Sequence, residues 1–146
     1  MIFDTHAHLD SEDFEKDLDA VIKNLKDNDI SLLVNPGCDL DTSKKSVELS
    51  NKYNFIYSAV GFHPHEAKYM NDDNFQKIEK MAVEENKVVA IGEIGLDYYY
   101  DFSPRDVQHE VFIKQIELAN KLNLPFIIHS RDASNDTYEV LKKYKK

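Results

Sequence analysis

The 146-residue sequence predicts an α/β fold built from repeating β/α units. Three observations carry this: two hydrophobic periods alternate along the chain, the short apolar runs recur at near-even spacing, and several runs end in a histidine or a carboxylate. The runs are Ile2 to Leu9, Ser31 to Asn35, Phe55 to Val60, Val88 to Gly92 and Pro125 to His129, the candidate parallel strands. Their starts are on average about 31 residues apart. Eight such units would need about 250 residues, the size of a (β/α)₈ TIM barrel, of which this chain would supply the first five units. Five units also fit an open doubly wound sheet, and the count does not decide between them.

Each intervening segment reads as a helix. Phe14, Leu18, Val21, Ile22 and Leu25 form one apolar stripe, with Ser11 placed to cap and Glu12, Asp13 and Glu15 in the first turn. The next helices are expected from Asp41, as cap, to Tyr53 and from about Asp72 to Glu85. A fourth opens with Ser103 as N-cap and Pro104 at the first helical position, and continues through Val107, Val111, Phe112, Leu118, Ala119 and Leu122. A fifth, from about Ser134 to Lys145, ends in a lysine-rich turn whose cations suit the helix dipole. Residues 1–146 read as a single domain, the N-terminal portion of a barrel.

Composition narrows the function classes. Apolar residues make up 42% of the chain, enough for a core, and no run is long enough to span a bilayer. The first strand begins at residue 2, so no leader is expected, and a single cysteine, Cys38, suits a reducing compartment, which together suggest a cytoplasmic protein. The net charge of −9 repels nucleic acid over most of the surface, so any nucleic-acid binding must come from a local site.

The chemistry concentrates at the strand ends. Strand alternation would point Asp4, His6 and His8 to one face, converging two imidazoles where a divalent ion can bind; the alternative is two half-exposed histidines. Glu93 follows the apolar run Val88 to Gly92, where a carboxylate is costly unless a metal ion or a Lys or Arg meets it. His129 closes the fifth run in the same way. His63 and His65 end the third run and can bind metal, grip a phosphate or cap the loop. Asp97 and Arg131 are candidates for supporting those ligands or contacting phosphate, and Tyr98 to Tyr100 for stacking or packing. Parallel sheets place their chemistry at the carboxyl edge, and all these residues belong to that edge.

The motifs Asp4-Thr5-His6-Ala7-His8-Leu9-Asp10, Gly61-Phe62-His63-Pro64-His65, Gly92-Glu93-Ile94-Gly95-Leu96-Asp97-Tyr98 and Ile128-His129-Ser130-Arg131 together resemble the TatD-type deoxyribonucleases. Pro104-Arg105, Gln108, Phe112, Gln115, Leu122 and Leu124-Pro125 extend the likeness over essentially the whole chain. The resemblance implies a TIM barrel and a metal-dependent exonuclease acting on DNA ends or short single-stranded DNA. It implies two divalent ions (Mg, Mn or Zn), with His6 and His8 on one, Glu93 bridging as the catalytic carboxylate, His129 on the second, and His63 near the substrate phosphate. It further implies a His after a sixth strand and an Asp after a later one, at positions past residue 146. With only four of the six ligands, weak metal binding, little activity and self-association through open barrel edges are expected. The rival readings are an amidohydrolase-type enzyme acting on a small amide, ester or lactone, and a non-catalytic barrel fragment. Glu at the bridging position, where amidohydrolases often carry a carboxylated lysine, favours the nuclease.

Overall fold

The computed structural model describes residues 1–146. Strands β1 (Ile2–Asp4), β2 (Ile30–Pro36), β3 (Ile56–Val60), β4 (Val88–Asp97) and β5 (Phe126–Arg131) alternate with helices α1 (Leu18–Asp27), α2 (Leu40–Lys52), α3 (Asp72–Glu84), α4 (Arg105–Leu122) and α5 (Ser134–Tyr144). Short 3₁₀ segments, Glu12–Phe14 and Pro64–Tyr69, follow β1 and β3.

Strand order settles what the spacing left open. Every strand pairs in parallel with its sequence neighbours, in the order β1-β2-β3-β4-β5. A doubly wound sheet reverses its order at a switch point. Here the order never reverses, and right-handed crossovers in one direction stack every helix on the same face. The result is a half-barrel. The helix side holds the main core, including Val60, Phe62, Ile78, Ile91, Ile94, Phe112 and Ile116. A second cluster, Leu9, Ile22, Leu33, Phe55 and Ile56, sits where α1 and α2 cover the first strands. Val34, Ala59 and Ala90, with Tyr57, Val89 and Ile127 packed against them, form a third cluster. The outer strands β1 and β5 are the exposed ones, with Ile2, Phe3 and Ile128 open to solvent. No helix is long and apolar enough to cross a membrane.

Several boundaries depart from expectation for local reasons. The first strand, expected to reach Leu9, ends at Asp4 because that side chain accepts the His6 backbone N–H at 3.1 Å and turns the chain. The segment beyond is pinned to β2 through Ala7 N–H on the Val34 carbonyl (3.1 Å). The first helix, expected from Ser11, starts only at Leu18; Ser11 caps the 3₁₀ turn, and Asp17, at φ −137°, lies outside the helical region. The cap of α2 is Asp39, in a reciprocal box with Thr42, and not Asp41. Pro104 takes the cap position of α4. Ser103 is drawn away, its hydroxyl donating to the His65 carbonyl (2.8 Å) and accepting from Lys68 N–H (3.1 Å). Finally, β4 runs to Asp97 instead of stopping at Gly92, which puts Glu93 inside a strand, where the pairing with β5 shifts register between Ile91 and Ile94.

Two buried glutamines on α4 hold the ends of the central strands. Gln115 accepts from the Phe62 N–H at 2.7 Å and donates to the Phe62 carbonyl at 3.0 Å. Gln108 repeats this at Asp97, accepting from its N–H at 2.8 Å and donating to its carbonyl at 3.1 Å, and also to the Ser103 carbonyl. Each amide does the work of a neighbouring strand where the backbone leaves the sheet. Gln115→Leu would fill the same space yet leave both Phe62 groups buried and unpaired. A loss of about 3 kcal/mol is expected in urea unfolding, and an unchanged midpoint would show that the clamp does not matter.

Candidate metal centre

The turn after β1 and the long strand β4 bring His6, His8 and Glu93 to one point. His6 Nε2 lies 3.1 Å from His8 Nε2 and 3.2 Å from Glu93 Oε2, and His8 Nε2 lies 3.6 Å from the same oxygen. Donors about 2.0–2.1 Å from a tetrahedral ion are about 3.3 Å apart, so these spacings match the edges of such a shell. The imidazoles do not converge by strand alternation, because the strand ends at Asp4. They are aimed instead by the pinned segment that follows.

Asn35, at the end of β2, organises that segment. Fully buried, it accepts the Leu9 N–H at 2.6 Å and donates to Asp10 Oδ1 at 2.8 Å. Asp10 in turn sits 4.0 Å from His8 Nδ1. The hydrogen bond to Glu93 raises the His8 pKa above its ordinary value; burial opposes this, and the charges of Asp10 and Glu93 and the Pro36 carbonyl reinforce it. Asn35 was not singled out from sequence, although it ends an apolar run just as His129 does.

Glu93 is buried, and no Lys or Arg reaches it. Only histidines do. Its two oxygens are divided: Oε2 faces His6 and His8, while Oε1 lies 3.2 Å from His129 Nδ1. Burial pushes the carboxyl upward, but bonds to His129 and His8 overcome it and hold the group well below the usual carboxylate range.

His129 is held from behind. Its Nε2 is 2.8 Å from Asp97 Oδ2, and the same oxygen meets His65 Nε2 at 2.8 Å. The other Asp97 oxygen accepts the N–H groups of Tyr99 (3.0 Å) and Tyr100 (2.9 Å). Asp97 is therefore completely enclosed, behind the histidine rings. Burial pushes its carboxyl up, and the Tyr100 N–H with the His65 and His129 rings hold it low. His129 is raised by its bond to Glu93, with burial opposing and Asp97 adding to the rise. Gly95, at φ +148°, lets β4 and β5 approach this closely; a Cβ there would collide with the His129 carbonyl.

His63 and His65 form a second convergence with His129, their ligand atoms all within 4.8 Å of one another. The His63 ring stands 4.4 Å from that of His65 and 4.2 Å from that of His129, and its Nδ1 accepts the His65 N–H. Burial, helped by the His129 charge, pushes the His63 pKa down to about 3, so the ring is neutral. Arg131 stands apart at the rim, its guanidinium 4.5 Å and 4.9 Å from the ring centres of Tyr99 and Tyr100. The residues expected to carry chemistry thus fall into an inner group around Glu93, a buried support around Asp97 and an exposed rim.

Known proteins share this arrangement of strands. Metal-dependent hydrolase YabD of Bacillus subtilis is 46% identical over 143 residues, covering 98% of this chain and 56% of its own length. The 3'-5' ssDNA/RNA exonuclease TatD of Cronobacter sakazakii is 35% identical over 132 residues, covering 90% of this chain and 50% of its own. The crystal structure of YjjV, a TatD homologue from Escherichia coli, superposes with a TM-score of 0.91 at 28% identity, over 98% of this chain and 56% of that one. The chain spans about half the length of the relatives it matches. The family model for TatD related DNase matches residues 3–146, nearly every residue described above, and the chain belongs to that family.

Proposed function

We propose that this chain carries the ligand-bearing half of a two-ion centre that hydrolyses phosphodiester bonds at the ends of short single-stranded DNA. The observation that carries the reading is the spacing of His6, His8 and Glu93, 3.1 to 3.6 Å between donors, with only histidines, and no Lys or Arg, against the carboxylate. His6 and His8 would hold one ion and His129 the second, with Glu93 serving both. Mg²⁺, Mn²⁺ and Zn²⁺ all accept such a donor set. Bound there, the ions would lower the pKa of a water to make the nucleophile and offset charge on the phosphate oxygens. The names of the relatives, exonuclease of ssDNA/RNA and deoxyribonuclease, support a nucleic-acid substrate. The net charge of −9 supports capture of a strand end at the centre over binding along a duplex.

The chain's own residues set the chemistry. Glu93 is ionised, so it can ligate on both oxygens at once. A carboxylate can only accept, so Asp97 keeps a proton of His129 on Nε2, and Nδ1, which faces Glu93, is the nitrogen that would give up its proton to become a ligand. His63, kept neutral by burial, stands beside His129 without adding charge. Arg131 at the rim is the one guanidinium near the site and would meet a phosphate oxygen outside the inner group.

Three outcomes follow. With Mn²⁺ or Mg²⁺, Glu93→Ala should reduce nucleotide release from an end-labelled single-stranded DNA to background and remove Mn²⁺ binding in calorimetry; activity surviving in that variant would sink the proposal. Asp97→Asn should keep the Tyr99 and Tyr100 bonds yet present an N–H to His129, moving its proton to Nδ1. Metal affinity should fall about 10- to 100-fold, with unaltered affinity arguing against the tautomer role. The third concerns pH. His8 and His129 have folded values raised above 6.5, so their contribution to apo stability is full below pH 6.5 and is lost as pH rises through the raised values. Metal must displace those protons. The apo melting temperature should therefore fall as pH climbs above 6.5, while Mn²⁺ affinity rises and binding releases protons to the buffer; pH-independent binding would refute the ligand assignment.

A further inference from the structure

The loop from β4 to α4 exposes three aromatic rings side by side. Tyr99 is 60%, Tyr100 43% and Phe102 54% exposed. Tyr100 stacks on Phe102 with ring centres 5.2 Å apart and 28° between planes, and Tyr99 meets Tyr100 edge-on at 4.7 Å. The cluster adjoins the site: His65 lies 5.3 Å from Tyr100 and 4.8 Å from Phe102, and Arg131 spans Tyr99 and Tyr100. Contiguous exposed apolar surface of this kind marks a binding site. Tyr98 does not belong to it, since its hydroxyl is engaged by His109 and Asp136 and its ring is covered by Arg105.

The rings are held open by the backbone around them. Asp97 fixes the N–H groups of Tyr99 and Tyr100, Lys68 Nζ binds the Phe102 carbonyl at 2.8 Å, and Ser103 ties the loop to His65. A loop fastened at this many points presents its aromatic faces without an ordering cost on binding. Resting on the phosphodiesterase reading above, we propose that Tyr99, Tyr100 and Phe102, with Arg131, form a subsite that stacks an unpaired nucleobase of the strand whose phosphate enters the metal centre.

The charge of the protein makes this subsite necessary. Nucleic-acid binders normally gain affinity by releasing counterions from phosphates to Lys and Arg, and a chain of net −9 has little of that to offer. Base–aromatic stacking is sequence-tolerant because every base has a π-face. The same face is hidden in a duplex and is indifferent to the sugar. The subsite therefore selects single strands, accepts DNA and RNA alike, and binds with a shallow salt dependence.

The test uses a phosphorothioate-linked pentanucleotide DNA, resistant to hydrolysis, carrying 2-aminopurine, with Mn²⁺ and the full 146-residue chain. Its counterpart has abasic sites in place of the bases. Stacking predicts quenching of 2-aminopurine, weaker binding of the abasic strand by about tenfold or more, and a similar loss for the normal strand with Tyr99→Leu/Tyr100→Leu, whose exposed positions leave the fold intact. Equal affinity for the two strands, or an unaffected double variant, would overturn the subsite while leaving the phosphate reading standing. Failure of both strands to bind would overturn the two together.

Discussion

A carboxylate set inside an apolar strand is the constraint around which this molecule is arranged. Glu93 follows Val88 to Gly92, and an ion there, without compensation, would cost many times the net stability of a domain. The chain answers with no lysine or arginine. It supplies imidazoles from three places: the turn after β1, the end of β5 and, one step removed, the end of β3. Imidazoles differ from ammonium and guanidinium groups in that they can yield their protons and remain as neutral ligands. A fixed salt bridge would have closed the site; this one stays exchangeable.

Bringing those imidazoles together depends on the unreversed strand order. Because every crossover turns the same way, the carboxyl ends of all five strands lie along one curved edge, and residues 6 and 129 come within reach of residue 93. Position alone would leave the rings free to rotate. Rotation of His129 and His65 is stopped by Asp97 behind them, while Asn35 fixes Asp10 near His8, 4.0 Å from its Nδ1. Asp97 is itself fixed by Gln108, which grips its backbone from α4. The path from the helix layer to the ligand edge thus runs through amide and carboxylate contacts, and the close approach at Gly95 brings its last two members together.

Much of this was legible in the residues. Alternating periods gave the five strands and five helices, and ligand-type residues closing apolar runs pointed to His6, His8, Glu93 and His129. What the pattern could not reach were the interruptions. Strand alternation explained the pairing of His6 and His8 by the wrong means, because a single Asp4 side chain capturing a backbone N–H ends the strand before either histidine. The diversion of Ser103 to His65 is likewise set by a partner remote in sequence, whereas the split of the first helix at Asp17 is a local break in the backbone. Asn35 and Gln115 carried a visible signal, polar residues among apolar neighbours, but their roles depend on backbone groups 26 and 53 residues away.

The division of labour within the site also separates residues that look alike. His63 and His129 face each other at 4.2 Å, yet burial lowers the pKa of one and two carboxylates raise that of the other. The difference lies in what stands behind each ring. His63 offers its Nδ1 to a backbone N–H and bonds to no acid, so the more distant charges of Glu93 and Asp97 do not make up for its desolvation. His129 lies between Glu93 and Asp97, so its protonated form finds acceptors on both ring nitrogens. The second histidine of Gly61-Phe62-His63-Pro64-His65 completes the scheme by sharing Asp97, which ties the end of β3 to the end of β5 across the intervening β4. A single buried carboxylate therefore sets the orientation of two rings, and through the backbone of Tyr99 and Tyr100 it also fixes the exposed rim. Inner ligands and outer aromatic surface are coupled by the same side chain, so their relative placement is a property of the fold and not of a mobile loop.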